Sequence, residues 1–442
     1  MKRRIVAAAA VLLIMAGAVL PVNASPTRIE LGVEVTAEAA YIVNDDTGRV
    51  VYQKNADRRM YPASTTKIMS AALAMTMCGD IENTMVTVPY DVWVEFDGID
   101  ISNAGIYGGE VMSMSDLVHC MLIQSANEAA SSVAAYFGRD SFIEAMNRKA
   151  AELGCTGTHF VNPHGLFDEN HYTTARDLYL ITQWALTVPG FSEITSLSSY
   201  TLSETNVHSE RDIYSTIMLQ NSYSGYYTRY IKGIKTGTID ESGRCLVTRA
   251  ESGGMSFTAV FLGCPFEVDT RFWDEGNSVF TNARLSFDWL FDNTAVSEVV
   301  KTGTPVSETA LKYASEKDYL MLYAASPVST IIQTGTGESP DITYETSVPE
   351  EIEAPVADGQ VIGSARVYSD GVYVGDVDLI AMEDIKKSYF IYIMDRINRV
   401  LTSTPAIICY ALLLVLAALY SYYMLVVVRR AESERNRGRR NR

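Results

Sequence analysis

Tyr61-Pro62-Ala63-Ser64-Thr65-Thr66-Lys67-Ile68-Met69-Ser70-Ala71-Ala72-Leu73-Ala74-Met75 is the stretch from which the rest of this 442-residue chain can be read. After Thr66 it is mostly apolar and helix-forming, so a helix is predicted over residues 65–77. Ser64 and Lys67 stand three apart, a spacing that on a helix puts both side chains on one face about one turn apart. A serine hydroxyl is a poor nucleophile until an adjacent base takes its proton. A lysine desolvated beside another cation can lose its own proton and serve as that base. The chain holds this S-x-x-K once. Alone the pattern is common by chance, so its weight comes from its companions.

Two further elements follow in order. Ser125-Ala126-Asn127 comes after the apolar run Cys120-Met121-Leu122-Ile123-Gln124. From a loop between helices, its hydroxyl and amide can both point into a cleft. Ser125 could pass a proton there, and Asn127 could hold a substrate carbonyl or the base; a plain turn or helix cap is the alternative. Lys235-Thr236-Gly237-Thr238 precedes a strand. A lysine and threonine on a β-edge, with a glycine that lets backbones approach, suit an anionic peptide end. The same four letters recur at Lys301-Thr302-Gly303-Thr304. That copy is set aside because it lies past a domain boundary with no partner motifs.

The ends of the chain point to export. Lys2, Arg3 and Arg4 precede an apolar run to Leu20, and Val22-Asn23-Ala24 has small residues where signal peptidase cuts, so residues 1–24 read as a cleavable signal peptide. Residues 404–428 carry no charge and suffice to cross a bilayer as a helix. The following tail, residues 429–442, holds seven arginines against Glu432 and Glu434 and is expected to stay in the cytoplasm. The predicted localisation is the bacterial cell membrane, single-pass, with the large domain outside. The formal charge of −17 grows more negative once the basic leader and tail are set aside, which argues against nucleic acid as a partner. Of six cysteines only Cys409 falls in the span; the other five are read as buried thiols, although a disulfide outside the cytoplasm remains open. No C-x-x-C, H-E-x-x-H or G-x-S-x-G occurs, so no metal and no cofactor are expected, and His159, His164 and His171 are read as loop-structuring.

Residues 30–293 mix strands and helices, beginning with a hairpin around Asn44-Asp45-Asp46-Thr47-Gly48 and ending with a helix near residues 282–291. This predicts an α+β domain, an antiparallel sheet covered by helices. Residues 295–382 hold short β-type runs broken by Gly, Pro and acids, and are expected to form a small all-β domain. Residues 383–403 are expected to be a linker helix into the membrane.

S-x-x-K, S-x-N and K-T-G in that order form the active-site pattern of penicillin-binding proteins and serine β-lactamases. The longer stretches Phe160-Val161-Asn162-Pro163-His164-Gly165-Leu166, His171-Tyr172-Thr173-Thr174-Ala175-Arg176-Asp177-Leu178 and Glu353-Ala354-Pro355-Val356-Ala357-Asp358-Gly359-Gln360 sharpen it. Through them the chain resembles the low-molecular-weight D-alanyl-D-alanine carboxypeptidases over nearly its whole exported part. The resemblance implies Ser64 as nucleophile, Lys67 as its base and Ser125 as proton relay. It also implies Asn127, Lys235, Thr236, Gly237 and Thr238 as substrate-binding residues, with the Ser64 and Thr238 amides as oxyanion hole. The implied partners are a peptidoglycan stem peptide ending in D-Ala-D-Ala, β-lactam antibiotics that would acylate Ser64, and the membrane. Relatives often carry aspartate where Glu128 stands, and the arginine that assists carboxylate binding in some of them is not assigned between Arg244 and Arg271. A DD-endopeptidase or transpeptidase, a β-lactamase, and a non-catalytic envelope protein that binds peptidoglycan or senses β-lactams are the rivals.

Overall fold

The structure, a computed structural model, describes residues 29–271, 276–337 and 339–440; the predicted signal peptide lies outside them. The predicted hairpin sets the layering. Strand β1 (Ala39–Asn44) is buried at every position. Ala39, Tyr41 and Val43 join one apolar cluster, and Ala40 and Ile42 join a second. Successive strand side chains point to opposite faces, so a strand buried throughout must be covered on both. Pairing antiparallel with it is β2 (Val50–Lys54). Three long strands from later in the chain complete the sheet: β3 (Ile231–Ile239), β4 (Gly243–Ser252) and β5 (Met255–Cys264). The order is β2-β1-β5-β4-β3, which leaves β3 at one edge.

One face carries α1 (Lys67–Cys78), α2 (Met114–Leu122), α3 (Asn127–Tyr136), α4 (Arg139–Glu152) and α5 (Ala175–Leu186). The other carries α6 (Ser278–Asn293), whose Val279, Phe280, Ala283, Phe287 and Leu290 pack in the second cluster. Helix α1 buries everything from Lys67 to Met75, as a helix apolar on nearly every side must. Ser113 and Thr174 cap α2 and α5, their side chains accepting from the N–H groups of Asp116 and Asp177. This is the predicted α+β arrangement. Cys120, Cys155, Cys245 and Cys264 are buried free thiols.

The chain divides into two compact units, one running to Val299 with Ser329–Thr343 and Tyr368–Val374, the other made of Val300–Val328, Tyr344–Val367 and Gly375–Arg442. Past α6 come β6 (Thr294–Val300), β7 (Pro305–Lys312), β8 (Tyr319–Ala324), β9 (Val328–Gln333), β10 (Ile342–Ser347), β11 (Glu351–Glu353), β12 (Val361–Ser369) and β13 (Val372–Ile380). They form a two-stranded sheet, β6-β9, and a six-stranded one, β10-β12-β13-β8-β7-β11. The C-terminal region is thus all-β, as expected. Its second Lys-Thr-Gly-Thr lies between β6 and β7, with Gly303 at φ +79° in the turn.

The linker expected to be helical from residue 383 becomes so only at α7 (Tyr389–Leu401), where the Ser388 hydroxyl caps the Ile391 N–H. Asp395 and Arg399 of α7 both hold the Tyr313 hydroxyl, at 2.8 Å each. Helix α8 runs from Thr404 to Arg440 and so continues through the basic tail. Its Thr404–Ser433 part is the one helix among the described residues long and apolar enough to cross a membrane.

Candidate active site

Ser64 lies on a 3-10 turn, Ala63–Thr66, that leads into α1, so the helix predicted from residue 65 begins only at Lys67. The correction favours the chemistry, because side chains at i and i+3 eclipse in a 3-10 turn. Lys67 Nζ lies 2.9 Å from Ser64 Oγ, 2.8 Å from Asn127 Oδ1 and 2.8 Å from the His164 carbonyl. A neutral amine has two N–H donors and one lone pair. The two carbonyl oxygens take the donors, which leaves the lone pair for the Ser64 proton. Lys67 is fully buried, and burial together with the Lys235 charge holds its pKa well below the usual lysine range, against an opposing pull from Glu128.

Two glycines let the turn be gripped from both sides. On β3, a Cβ at Gly237 would fall 2.9 Å from Ser64 N and 3.0 Å from Pro62 O. From the Asn162–Leu166 loop, Gly165 (φ +91°) comes so close that its Cβ would lie 1.9 Å from Ala63 O. Only glycine fits either place.

Ser125 occupies the break between α2 and α3 in a left-handed conformation (φ +65°), a costly backbone for serine that keeps the hydroxyl out of either helix. Asn127 opens α3, and its Nδ2 donates to the Ser102 carbonyl at 3.0 Å. The Lys-Thr-Gly-Thr motif lies within β3 rather than ahead of a strand. Lys235 is buried, its amine donates to the Thr236 carbonyl at 3.0 Å, and burial lowers its pKa to about 7.

Ser64, Ser125, Thr236, Gly237 and Thr238 line one cavity of about 300 Å³, with Lys67, Asn127 and Lys235 buried. All the predicted site residues therefore gather at one place. Sequence reasoning missed Ser102, Thr216 and Met218 on the same wall. Thr216 shares a 2.6 Å hydrogen bond with the Thr236 hydroxyl. Of the two unassigned arginines, Arg244 lines the cavity, opposite Thr238 in the β3–β4 register, and has no carboxylate partner among the described residues. Arg271 instead is tied to Asp269, Thr36 and Asn282. A wider cavity of about 840 Å³, flanked by Tyr61, Tyr172, Asp240 and Phe266, contains none of the predicted residues.

Behind Lys67 stands a layer that joins His164 and His171, from the quoted stretches, to Glu95, Arg139 and Ser131, which no motif marks. The imidazole of His164 donates from Nε2 to Glu95 at 3.4 Å and accepts the Leu166 N–H at Nδ1, which orients the loop whose carbonyl Lys67 uses. Burial lowers the His164 pKa to about 4, so the ring is neutral near pH 7. Burial also works to raise the Glu95 pKa, but hydrogen bonds from His164, Arg139 and Ser131 outweigh it and bring the pKa to about 2. His171, held by burial at about 3, accepts the Val161 N–H and meets the Thr66 hydroxyl at 2.9 Å, which in turn donates to Ala63. Both histidines structure loops, as read from the sequence, and they do so directly against the turn that carries Ser64.

Comparison with known proteins bears on this arrangement. A family model described as D-alanyl-D-alanine carboxypeptidase matches residues 23–265, and one described as penicillin-binding protein 5, C-terminal domain, matches residues 296–387. The chain is 28% identical over 364 residues to D-alanyl-D-alanine carboxypeptidase DacF of Bacillus subtilis, covering 81% of this chain and 88% of that one. It is 28% identical to D-alanyl-D-alanine carboxypeptidase DacC of Escherichia coli, over 80% of this chain and 86% of that one. Penicillin-binding protein 5 from Haemophilus influenzae shares the fold with a TM-score of 0.60 at 24% identity, over 80% of this chain and 99% of that one. The Streptomyces K15 DD-transpeptidase superposes with a TM-score of 0.52 at 26% identity, over 59% of this chain and 98% of that one.

Proposed function

The chain belongs to the D-alanyl-D-alanine carboxypeptidase family, and from that premise we propose that Ser64 is acylated as the enzyme removes the terminal D-alanine of a peptidoglycan stem peptide. The observation that carries this reading is the arrangement around Lys67 Nζ, two carbonyl acceptors and one serine hydroxyl. The neutral amine takes the Ser64 proton while Oγ attacks the carbonyl between the two D-alanines. The resulting oxyanion is held by the backbone N–H groups of Ser64 and Thr238, each contributing about 3 kcal/mol to the transition state. Ser125 passes the proton to the departing D-alanine nitrogen, the C–N bond breaks, and water then hydrolyses the ester. Lys235 keeps the local field positive, which holds the Lys67 proton loosely. Asn127 positions the substrate and the base, and Thr236 helps bind the terminal carboxylate. Arg244, on the cavity wall with no carboxylate partner among the described residues, is the arginine suited to assist it. β-Lactams present a carbonyl to the same oxygen and remain attached to it.

Helix α8 is proposed to anchor the protein, with the arginine-rich tail in the cytoplasm and the catalytic unit outside. The activity test incubates the purified protein with diacetyl-L-Lys-D-Ala-D-Ala and measures free D-alanine. Release and fluorescent-penicillin labelling are both expected to vanish in Ser64→Ala; release that survives it refutes the mechanism. Similarity to a DD-transpeptidase favours one second reading, in which an amine replaces water as acceptor. Adding glycine or D-alanine methyl ester distinguishes them, because a transpeptidase diverts product into the new amide.

A further inference from the structure

We propose that Glu128 is a positioning residue for acylation, acting through Asn127 on the Lys67 amine; this rests on the reading of Lys67 as the base of Ser64. Glu128 is the second residue of α3 and is fully buried. Its Oε1 accepts the N–H groups of Ala104 at 2.6 Å and Ile106 at 3.4 Å. Those amides belong to a segment, residues 101–106, with no helix or strand of its own to fix its shape. In the same segment the Ser102 carbonyl accepts both the backbone N–H and the side-chain Nδ2 of Asn127, each at 3.0 Å.

The consequence reaches the base. An amide has a donor end and an acceptor end, so occupying Nδ2 at Ser102 turns Oδ1 towards Lys67 Nζ. If residues 101–106 relaxed, the amide could rotate and offer its NH₂ to the lysine instead. That NH₂ would compete with the Ser64 hydroxyl for the lone pair. Glu128 thus keeps the base aimed through residues 101–106 and its neighbour Asn127.

A second observation explains why an acid stands there. Glu128 Oε2 finds no hydrogen-bond partner among the described residues. A glutamine would give Ala104 and Ile106 the same acceptor and leave an NH₂ in place of the orphan oxygen, so hydrogen bonding alone does not choose between them. What the carboxylate adds is charge. Lys67 and Lys235 are both fully buried, and Glu128 is the anion that opposes burial and Lys235 at Lys67. The other groups facing Lys67 are Ser64, Asn127, and the neutral rings of His164 and His171 in the loop behind.

The test follows fluorescent-penicillin acylation of the full-length, detergent-solubilised protein as a function of pH. It uses Glu128→Ala, Glu128→Gln, Asn127→Ala and the Ala–Ala double variant. Glu128→Ala is expected to slow acylation about 10- to 100-fold, the usual loss for a supporting partner behind an active side chain. Glu128→Gln should recover most of the plateau rate but move the acidic limb to lower pH, because without the anion Lys67 holds its proton less tightly. In the Asn127→Ala background, Glu128→Ala should add less than about twofold, since the two act in series. Wild-type rate and limb in Glu128→Ala overturns the proposal, and so do multiplying effects in the double variant. If Glu128→Ala does not fold, Glu128→Gln decides alone, and an unmoved limb overturns the proposal. Absence of Ser64 labelling in the wild type refutes the underlying reading instead.

Discussion

Gly237→Ala tests how closely the reactive turn is seated on the sheet. The added methyl carbon would lie 2.9 Å from Ser64 N, 3.0 Å from Ala63 Cβ and 3.0 Å from Pro62 O. Comfortable contact begins at about 3.5 Å, so the turn or β3 must give by about half an ångström. A reacting group misplaced by about 1 Å loses about 100-fold in rate, so half that shift predicts about a tenfold slower acylation, or about 1.4 kcal/mol of barrier. Overpacking should also lower stability by about 1–3 kcal/mol. The control is Gly253→Ala in the β4–β5 turn, where φ is +59° and no atom lies within 4 Å of the new carbon. That variant should lose about 1–2 kcal/mol from backbone strain alone and label at the wild-type rate. The assay is the second-order rate of fluorescent-penicillin labelling, with thermal midpoints measured in parallel. If Gly237→Ala labels as fast as Gly253→Ala at matched stability, the contact between β3 and Ser64 does not set the reaction geometry.

Acid should weaken the protein before carboxylates begin to titrate. His164 at about 4 and His171 at about 3 stay neutral in the folded state, whereas the unfolded chain protonates near the ordinary 6.5. Their stabilisation is full above that value and falls by about 1.4 kcal/mol per pH unit for each group below it. Glu95, at about 2 when folded, loses its share only below its ordinary 4.5. His171→Gln should therefore flatten the dependence of urea midpoint on pH between about 6.5 and 5, and an unchanged slope refutes this. Arg244→Gln should lower kcat/KM at least about tenfold for a substrate ending in a free carboxylate, with little effect on its C-terminal amide. Arg271→Gln should change stability without changing that ratio; equal losses on both substrates in Arg244→Gln would remove Arg244 from carboxylate binding.

Much of the site was legible because its chemistry is written in short spacings. Ser64 with Lys67, Ser125 with Asn127, and Lys235 to Thr238 each lie within four residues of chain, so pattern alone locates them. The α+β layering was legible too, since β1 is apolar from Ala39 to Val43 and needs cover on two sides. What the pattern hid is what tertiary contact alone creates. Nothing local marks Glu95 as the partner of His164, Thr216 as the neighbour of Thr236, or Ser102 as part of the cavity lining. Whether Arg244 or Arg271 faced the cavity depended on the β3–β4 register and on how Asp269 and Asn282 claim Arg271. The predicted helix took in Thr65 and Thr66, which belong to the 3-10 turn, because the residues before Lys67 give no sign of where one geometry yields to the other.

Strand β3 ends the sheet, and a free strand border is a standing invitation to unwanted partners. Here the invitation is brief. Ile234 and Lys235 are wholly covered, and what opens onto the cavity is Thr236, Gly237 and Thr238. Three residues are too few to template a foreign strand, yet they suffice to dock the final residues of a polymer. On the proposed reading, the same shortness that keeps molecules from zippering together leaves room on the strand only for the end of a chain.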